Sequence, residues 1–301
     1  MNPSPFPPAS PTPTSAHTPQ RLRVGCGEWG FRNLPMPDHF EIAASFGFRE
    51  LEFGIGGGQT GRLTEDPSPA EIAAFCSLVT SSGIATPGCC IENDFTLADP
   101  AAHAAAVHKA LHQSRAAAAC GARQVRFFAG FTPYSEMTEE IWKRLLGALV
   151  FCDRELERLG LSIAIETHGT IRWNADGSAT HLHTVTTHRD GIRRLLAELP
   201  ERIGFNFDPG NLRAADPGDP RCAVDLFAGR ITYCHLKDWA RSGDGWTAVA
   251  AGDVADGIDW AWLLPQTRYA GTYLIEYEPL GDTRAGIARS LAHLQKVGLL
   301  E

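Results

Sequence analysis

The most constraining feature of this sequence is the regular alternation of short β-rich runs with amphipathic helical stretches from residue 21 onward. Eight runs have the composition of strands: Leu22–Gly25, Glu50–Gly54, Ala85–Cys90, Gln124–Ala129, Leu161–Thr167, Ile203–Asp208, Ile231–Leu236 and Thr272–Tyr277. The stretches between them, such as Glu139–Leu159, carry apolar residues at helical spacing. Eight such units in one chain are typical of a (β/α)8 TIM barrel, so we predict that fold, of class α/β.

A doubly wound open sheet is the alternative fold for such a pattern. That fold usually carries a Gly-rich phosphate-binding turn after its first strand. Gly56–Gly58 follow the second run instead and lack the required spacing, so we interpret them as a flexible loop. Two long segments, 172–188 and 239–259, are predicted to be loops over the barrel mouth, the second of them as a lid.

Composition limits the partners that the chain can have. Residues 1–20 are dominated by Pro, Ser and Thr, which predicts a disordered tail before a single domain over residues 21–301. The net charge of −8 argues against a nucleic-acid partner. With no apolar run near the ~20 residues of a membrane span and no signal-peptide pattern, we expect no membrane partner. Eight cysteines are too dilute for a disulfide scaffold, which favours a cytoplasmic protein with reduced thiols.

Polar side chains of metal-ligand type lie at the ends of four strands in the second half of the chain. Side chains alternate between the two faces of a strand. By this alternation the inward-facing polar residues are Glu166 and His168, Asn206 and Asp208, His235 and Lys237, and Glu276 and Glu278. A lone buried Glu or His is more often a salt-bridge or core residue. Acids and histidines at four strand ends on one side of the barrel instead predict a divalent cation at the rim, where such barrels have their active sites.

Four short motifs carry a resemblance to a known family. In chain order they are Ile165–Gly169 (IETHG), Asp208–Asn211 (DPGN), His235–Asp238 (HLKD) and Ile275–Pro279 (IEYEP). Together they resemble the xylose-isomerase-like TIM barrel superfamily of sugar and sugar-phosphate isomerases and epimerases. The resemblance implies one divalent metal ion (Mn, Mg, Co or Zn, with Mn favoured) held by Glu166, Asp208, His235 and Glu276. Glu278 is also inward-facing, and so could replace Glu276 or contact the substrate.

The resemblance also implies a small sugar or polyol as substrate. The candidate substrate contacts are His168, Asn211, Lys237, Glu278, Trp29, Glu52 and Arg126. Asn211 stands where many relatives have a second histidine. Trp29, Glu52 and Arg126 come from the first half of the chain, where Trp29 offers an apolar wall for a sugar face.

The implied ligand set defines a type of reaction but not a single product. A divalent ion polarises a ketone and acidifies the adjacent C–H, and the catalytic residues Glu166 and Glu276 can then remove and return a proton through a metal-bound enediolate. Return of the proton gives epimerisation or isomerisation. Loss of a β-hydroxyl would instead give a dehydratase or lyase acting on a keto-cyclitol or keto-sugar.

Two other classes of protein share this architecture. Apurinic-site endonucleases need two or three zinc ions and extra histidines, whereas Asn211 replaces one expected histidine here. A non-catalytic sugar-binding barrel would use the same polar rim without turnover. The sequence leaves open the identity of the sugar, the metal, the role of the Pro-rich segment and the oligomeric state, and a homo-oligomer is compatible with it.

Overall fold

The computed structural model describes residues 21–227 and 229–300. In chain order the strands are β1 (Arg23–Cys26), β2 (Phe53–Ile55), β3 (Gly88–Ile91), β4 (Gln124–Phe128), β5 (Ser162–Glu166), β6 (Thr170–Trp173), β7 (Ala179–Leu182), β8 (Gly204–Phe207), β9 (Ile231–Leu236), β10 (Asp238–Ser242), β11 (Gly245–Val249) and β12 (Thr272–Ile275). The helices are α1 (Met36–Ser45), α2 (Pro69–Ser82), α3 (Pro100–Ala119), α4 (Glu139–Glu157), α5 (Arg189–Glu198), α6 (Pro209–Ala215), α7 (Trp260–Gln266) and α8 (Thr283–Lys296). The predicted tail over residues 1–20 lies outside the described residues.

Parallel strands form a closed barrel. Their spatial order within the described residues is β1, β12, β9, β8, β5, β4, β3 and β2. The ring closes where Cys26 pairs in parallel with Leu51, just before β2, and the Glu52 N–H donates to the Cys26 carbonyl at 2.9 Å. The predicted (β/α)8 TIM barrel is therefore confirmed, and the C-terminal ends of its strands meet at one mouth.

Helix starts and ends follow local side-chain chemistry. Ser68, Asp99 and Thr138 cap α2, α3 and α4, each accepting a hydrogen bond from a backbone N–H in the first turn. The helix α2 ends at Gly83, whose φ of 67° lies in the left-handed region that glycine adopts without strain. The helix end at Gly83 allows the chain to return to the next strand of the barrel, β3.

The two segments predicted to be loops contain hairpins that form a second, smaller sheet, so the prediction is wrong for residues 172–182 and 239–249, while residues 183–188 and 250–259 contain no strand. β6 pairs with β7 and β10 pairs with β11, both antiparallel, and the pair Trp246–Ala179 joins the two hairpins. Trp239 and Trp246 pack with Ala179 in a separate small apolar core. The hairpins leave the barrel after β5 and β9, and Ile171 and Trp173 of β6 line the cavity at its mouth.

Two apolar layers support the barrel. A large core fills the space between strands and helices, while Ala164, Tyr233 and Leu274 form a small cluster inside the barrel, as strand alternation predicts. The Tyr233 ring needs a glycine at position 88, because a Cβ there would lie 2.0 Å from its hydroxyl oxygen.

All eight cysteines are unpaired, and all but Cys76 are buried. Among the described residues no helix has the length and apolar character to cross a bilayer.

Candidate functional site

Four buried side chains from four strand ends converge at the barrel mouth. Glu166 is the last residue of β5, Asp208 directly follows β8, His235 lies near the end of β9, and Glu276 directly follows β12. One ligand atom from each lies within 4.8 Å of the others. The structure thus brings together the four residues that the sequence motifs nominate, with Glu276 rather than Glu278 in the group.

Strand periodicity explains why these side chains meet. Ala164 and Glu166 lie two residues apart in β5, and Tyr233 and His235 do so in β9, so each polar group stands one layer above the apolar cluster inside the barrel. Asp208 has a second local role as the N-cap of α6, where it accepts the Asn211 N–H at 3.0 Å. The cap fixes the Asp208 carboxylate against the mouth.

The three carboxylates of this group repel one another inside the protein. Burial raises the pKa of Asp208 to about 7, and the nearby Glu166 and Glu276 add to the shift although Lys237 opposes it. Lys237 lies between the acids, with its Nζ 3.3 Å from Asp208 and 2.5 Å from Glu276. It also lies 3.2 Å from Oε2 of Glu278, so Glu278 belongs to the periphery of the group. One ammonium group leaves a surplus of negative charge for a further cation to neutralise.

Arg126 supplies a second cation from the first half of the chain. Its Nε lies 2.9 Å from Oε2 of Glu166, and its guanidinium stacks 4.1 Å from the Phe128 ring centroid. Burial alone would raise the pKa of Glu166, but Arg126 and His235 hold it well below the usual range. Glu166 is therefore kept ionised.

Glu52 lies on the far side of His235 from the three carboxylates. Its Oε1 accepts the Tyr233 hydroxyl at 2.7 Å and lies 3.2 Å from Nε2 of His235. Burial raises the pKa of Glu52, but His235 outweighs this effect and lowers it to about 2. The strand β2 continues to Ile55, so Glu52 lies deeper in the barrel than a residue at the strand end.

Asn211 and His168 contact the acidic group in different ways. The Asn211 amide donates to Glu166 at 3.2 Å and to Asp208 at 3.1 Å, and is fully buried. The Nδ1 of His168 lies 2.6 Å from the Gly169 carbonyl, which leaves Nε2 as an acceptor in the neutral ring. Burial lowers the pKa of His168, which favours that neutral form.

A cavity of about 250 Å³ opens onto this group of side chains. Its lining comprises Trp29, Glu92, Arg126, Phe128, Phe131, Glu166, His168, Ile171, Trp173, Lys237, Glu276 and Glu278. Of the residues predicted to contact substrate, Trp29, Arg126, His168, Lys237 and Glu278 line it. Glu52 and Asn211 are fully buried outside this lining.

Several residues of the cavity are not among those that the sequence predicts. Phe128 is the last residue of β4 and Phe131 lies three residues beyond it, and the position of aromatic residues at a strand end is the signal that could have found them. Trp173 is 69% exposed, although it sits in a strand. Its sequence signal is weak, because residue 173 lies in a segment predicted to be a loop. The position of Trp173 at the cavity depends on the β6–β7 hairpin, which in turn pairs with the β10–β11 hairpin.

The donor set fits a divalent cation. Three carboxylates and one imidazole offer oxygen and nitrogen ligands of the kind that Mg²⁺, Mn²⁺, Co²⁺ and Zn²⁺ accept. The close approach of Asp208 to two other buried acids is costly, and the single positive charge of Lys237 offsets only part of that cost. Glu166, Asp208, His235 and Glu276 are the residues that would hold the ion.

The fold and the site define a (β/α)8 barrel with a buried acid–imidazole cluster at its C-terminal mouth. The chain belongs to the xylose isomerase-like TIM barrel family, whose family model matches residues 40–297. No protein of curated function shows significant sequence similarity to the chain.

Solved structures share this fold at low sequence identity. A D-allulose 3-epimerase from Methylomonas sp. is 14% identical with a TM-score of 0.69, over 93% of this chain and 99% of that one. A probable 3-DHS dehydratase from Bacillus anthracis is 14% identical with a TM-score of 0.68, over 91% and 99%. A xylose isomerase-like TIM barrel protein from Mycobacterium smegmatis, in complex with magnesium, is 14% identical with a TM-score of 0.67, over 95% and 98%. These matches support the fold and not a particular reaction.

Proposed function

We propose that this protein is a divalent-metal-dependent isomerase or epimerase that moves a proton next to the carbonyl of a small neutral sugar or polyol. The observation that carries the proposal is that Glu166 and Glu276 belong to the ligand cluster and also line the cavity. A substrate in the cavity would therefore lie against two carboxylates that come from different strands. The fold shared with a D-allulose 3-epimerase supports the same class of reaction.

The proposed metal ligands are Glu166, Asp208, His235 and Glu276, with manganese as the first ion to test. When bound, such an ion supplies Lewis acidity that makes a C–H next to a carbonyl easier to deprotonate. The magnesium complex of a structural neighbour supports a divalent ion in this fold.

The protein's own side chains would move the proton. In the proposal Glu166, kept ionised by Arg126, accepts a proton from one side of the substrate, and Glu276 returns one from the other side. Lys237 contacts Glu276 and lines the cavity, so it can donate a hydrogen bond to a substrate oxygen. The Phe128 and Phe131 rings lie against each other and give the cavity an apolar wall.

The cavity favours an uncharged substrate with an apolar face. Four carboxylates line it, against two cations, Arg126 and Lys237, which are already paired with those acids. A substrate phosphate would therefore meet no unpaired cation among the described residues of the lining. Trp29 and Trp173 offer aromatic surface on which the C–H face of a sugar ring can pack.

A dehydratase acting on a keto-cyclitol or keto-sugar is the second candidate. His168 favours it, because a neutral imidazole with an acceptor Nε2 in the cavity wall can take the proton from the carbon next to the carbonyl and pass it to the β-hydroxyl, which then leaves as water. The fold shared with a probable 3-DHS dehydratase is compatible with this reaction. The negative cavity disfavours a DNA substrate.

The proposal is tested by incubating metal-reconstituted protein with a panel of ketoses and keto-cyclitols in deuterated water. The expected result is deuterium next to the carbonyl without loss of water, and its abolition in Glu166→Gln and Glu276→Gln. Glu65→Gln, at an acid outside the cavity lining, is the matched control and should retain exchange.

Other outcomes would identify the other candidates. Loss of water from the substrate would support the dehydratase, and cleavage of abasic DNA would support a repair enzyme. Absence of exchange with Mn²⁺, Mg²⁺, Co²⁺ and Zn²⁺ alike would contradict the enzyme and leave a sugar-binding barrel. We also propose a cytoplasmic location, for which the unpaired buried thiols are the support.

A further inference from the structure

The imidazole of His235 has different neighbours at its two nitrogens. Nδ1 lies 3.8 Å from Oε1 of Glu166 and 3.4 Å from Oε1 of Glu276, and the amide nitrogen of Asn206 lies 3.2 Å from it. Nε2 lies 3.2 Å from Oε1 of Glu52, and both side chains are fully buried. A neutral imidazole carries one N–H and one lone pair, so the partner that accepts the N–H decides which nitrogen can bind a cation.

Glu52 can only accept hydrogen bonds at this position. The Tyr233 hydroxyl donates to Oε1 at 2.7 Å, and the backbone N–H of Glu28 donates to Oε2 at 3.0 Å. Both carboxylate oxygens thus already act as acceptors in these contacts. The group that Glu52 presents to Nε2 of His235 is therefore an acceptor.

We propose that Glu52 is a positioning residue that accepts the Nε2–H of His235 and so directs the Nδ1 lone pair toward Glu166, Asp208 and Glu276. This inference rests on the proposed metal-dependent function and adds to it a residue from the first half of the barrel. Carboxylates behind ligating histidines fix the tautomer and ring orientation and make the ligand more basic. Glu52 then acts through His235 and not on the substrate.

A second metal ion held by Glu52, Cys90 and His235 is the alternative use of these atoms, which lie within 4.8 Å of one another. Two observations disfavour it. The Nε of Arg126 lies 3.2 Å from the Cys90 sulfur, so a fixed positive charge occupies that side. Each Glu52 oxygen also already accepts a hydrogen bond from a buried donor.

The first test measures Zn²⁺ affinity by competition with a chromophoric chelator. Glu52→Gln keeps the shape of the side chain but replaces one acceptor by an amide donor, and should weaken Zn²⁺ binding about 10- to 100-fold. The matched control is Asp153→Asn, which also neutralises a buried carboxylate, one that pairs with Arg202 at 2.5 Å. Because Asp153 lies on α4 outside the metal cluster and the cavity lining, its variant should keep the wild-type affinity.

The second test needs only the wild-type protein. Nitrogen-15 NMR of the Zn²⁺-loaded protein should show a proton on Nε2 of His235 and metal-bound Nδ1; a proton-free Nε2 would overturn the proposal even if Glu52→Gln failed to fold. Equal Zn²⁺ affinity of wild type and Glu52→Gln would overturn the role of Glu52 alone. A wild-type protein that binds no Zn²⁺, Mn²⁺, Mg²⁺ or Co²⁺ would overturn this inference together with the metal-dependent function.

Discussion

The Nε atom of Arg126 lies 2.9 Å from Oε2 of Glu166, and each side chain is only 2% exposed. Arg126 belongs to β4 and Glu166 to the neighbouring β5, so the first half of the barrel partly neutralises a proposed metal ligand of the second half. This buried pair links the stability of the fold to the electrostatics of the site.

Removing that cation should destabilise the metal-free protein. Arg126→Met leaves Glu166 buried without its arginine, and breaking such a pair from one side costs about 3–5 kcal/mol. We expect the free energy of unfolding, measured with urea, to be lower than in the wild type. Adding Zn²⁺ should raise this free energy more in the variant than in the wild type, because the ion then neutralises the charge of Glu166. Arg126→Lys keeps a positive charge, so its free energy of unfolding should fall less. Equal stability of Arg126→Met and wild type would contradict a stabilising role of this ion pair.

Trp173 should affect substrate binding without affecting stability. Its side chain is 69% exposed and lines the cavity, so Trp173→Ala should raise the KM for the preferred sugar about tenfold, equivalent to about 1.4 kcal/mol of lost contact, with little change in kcat. Steady-state kinetics and thermal melting measure the two effects. Trp262→Ala, at a tryptophan that is 39% exposed and outside the lining, is the control. An unchanged KM for Trp173→Ala would remove this residue from the binding surface.

His39 should make the stability of the protein pH-dependent. Burial lowers the pKa of His39 to about 4, while its Nε2 lies 3.0 Å from the Phe31 carbonyl. As the pH falls below 6.5, His39 takes up a proton in the unfolded chain but stays neutral in the folded chain, which favours unfolding. The free energy of unfolding is therefore unaffected by His39 above pH 6.5 and decreases as the pH falls toward 4. Between pH 7.5 and pH 5 we expect about 2 kcal/mol of destabilisation from this residue.

Urea unfolding at the two pH values measures the effect. In His39→Gln the difference between the two free energies should shrink. His108→Gln, at an exposed histidine of α3, should leave it as in the wild type. The same pH dependence in wild type and His39→Gln would show that other groups cause it.

Trp246 should stabilise the small sheet without stabilising the barrel. It is 4% exposed, packs with Trp239, and lies in the strand pair that joins the two hairpins. Trp246→Ala removes a large buried side chain, which costs about 3–5 kcal/mol. Hydrogen exchange should rise over residues 170–182 and 238–249, while the barrel strands stay protected. A uniform rise over the whole chain would contradict this separation.

Most of the barrel could be predicted from the sequence because its strands are buried and most of its helices have ten residues or more. The strand Ile231–Leu236 has the predicted bounds, and period-two alternation places Glu166 and His235 inward as the structure does. The helices α6 and α7 have seven residues each, too few for a helical period to stand out.

Residues whose positions depend on distant partners could not be placed from sequence. The hairpins β6–β7 and β10–β11 have partly exposed strands, so their composition resembles that of loops until the two hairpins pair. The sequence places Glu52 near the end of the second predicted strand and therefore at the substrate, whereas the observed strand β2 begins after Glu52 and continues to Ile55. Strand alternation gives the face of a side chain, whereas its depth depends on where the strand stops.

The sheet over the mouth has a consequence for engineering. One hairpin continues from β5, which ends at Glu166, and the other from β9, which carries His235, and Trp246 of one is paired with Ala179 of the other. A chimera that transplants a single hairpin from a relative would leave it without its complementary strand. The pair must be grafted as one module, which allows one wall of the pocket to be exchanged while the strands beneath it are kept.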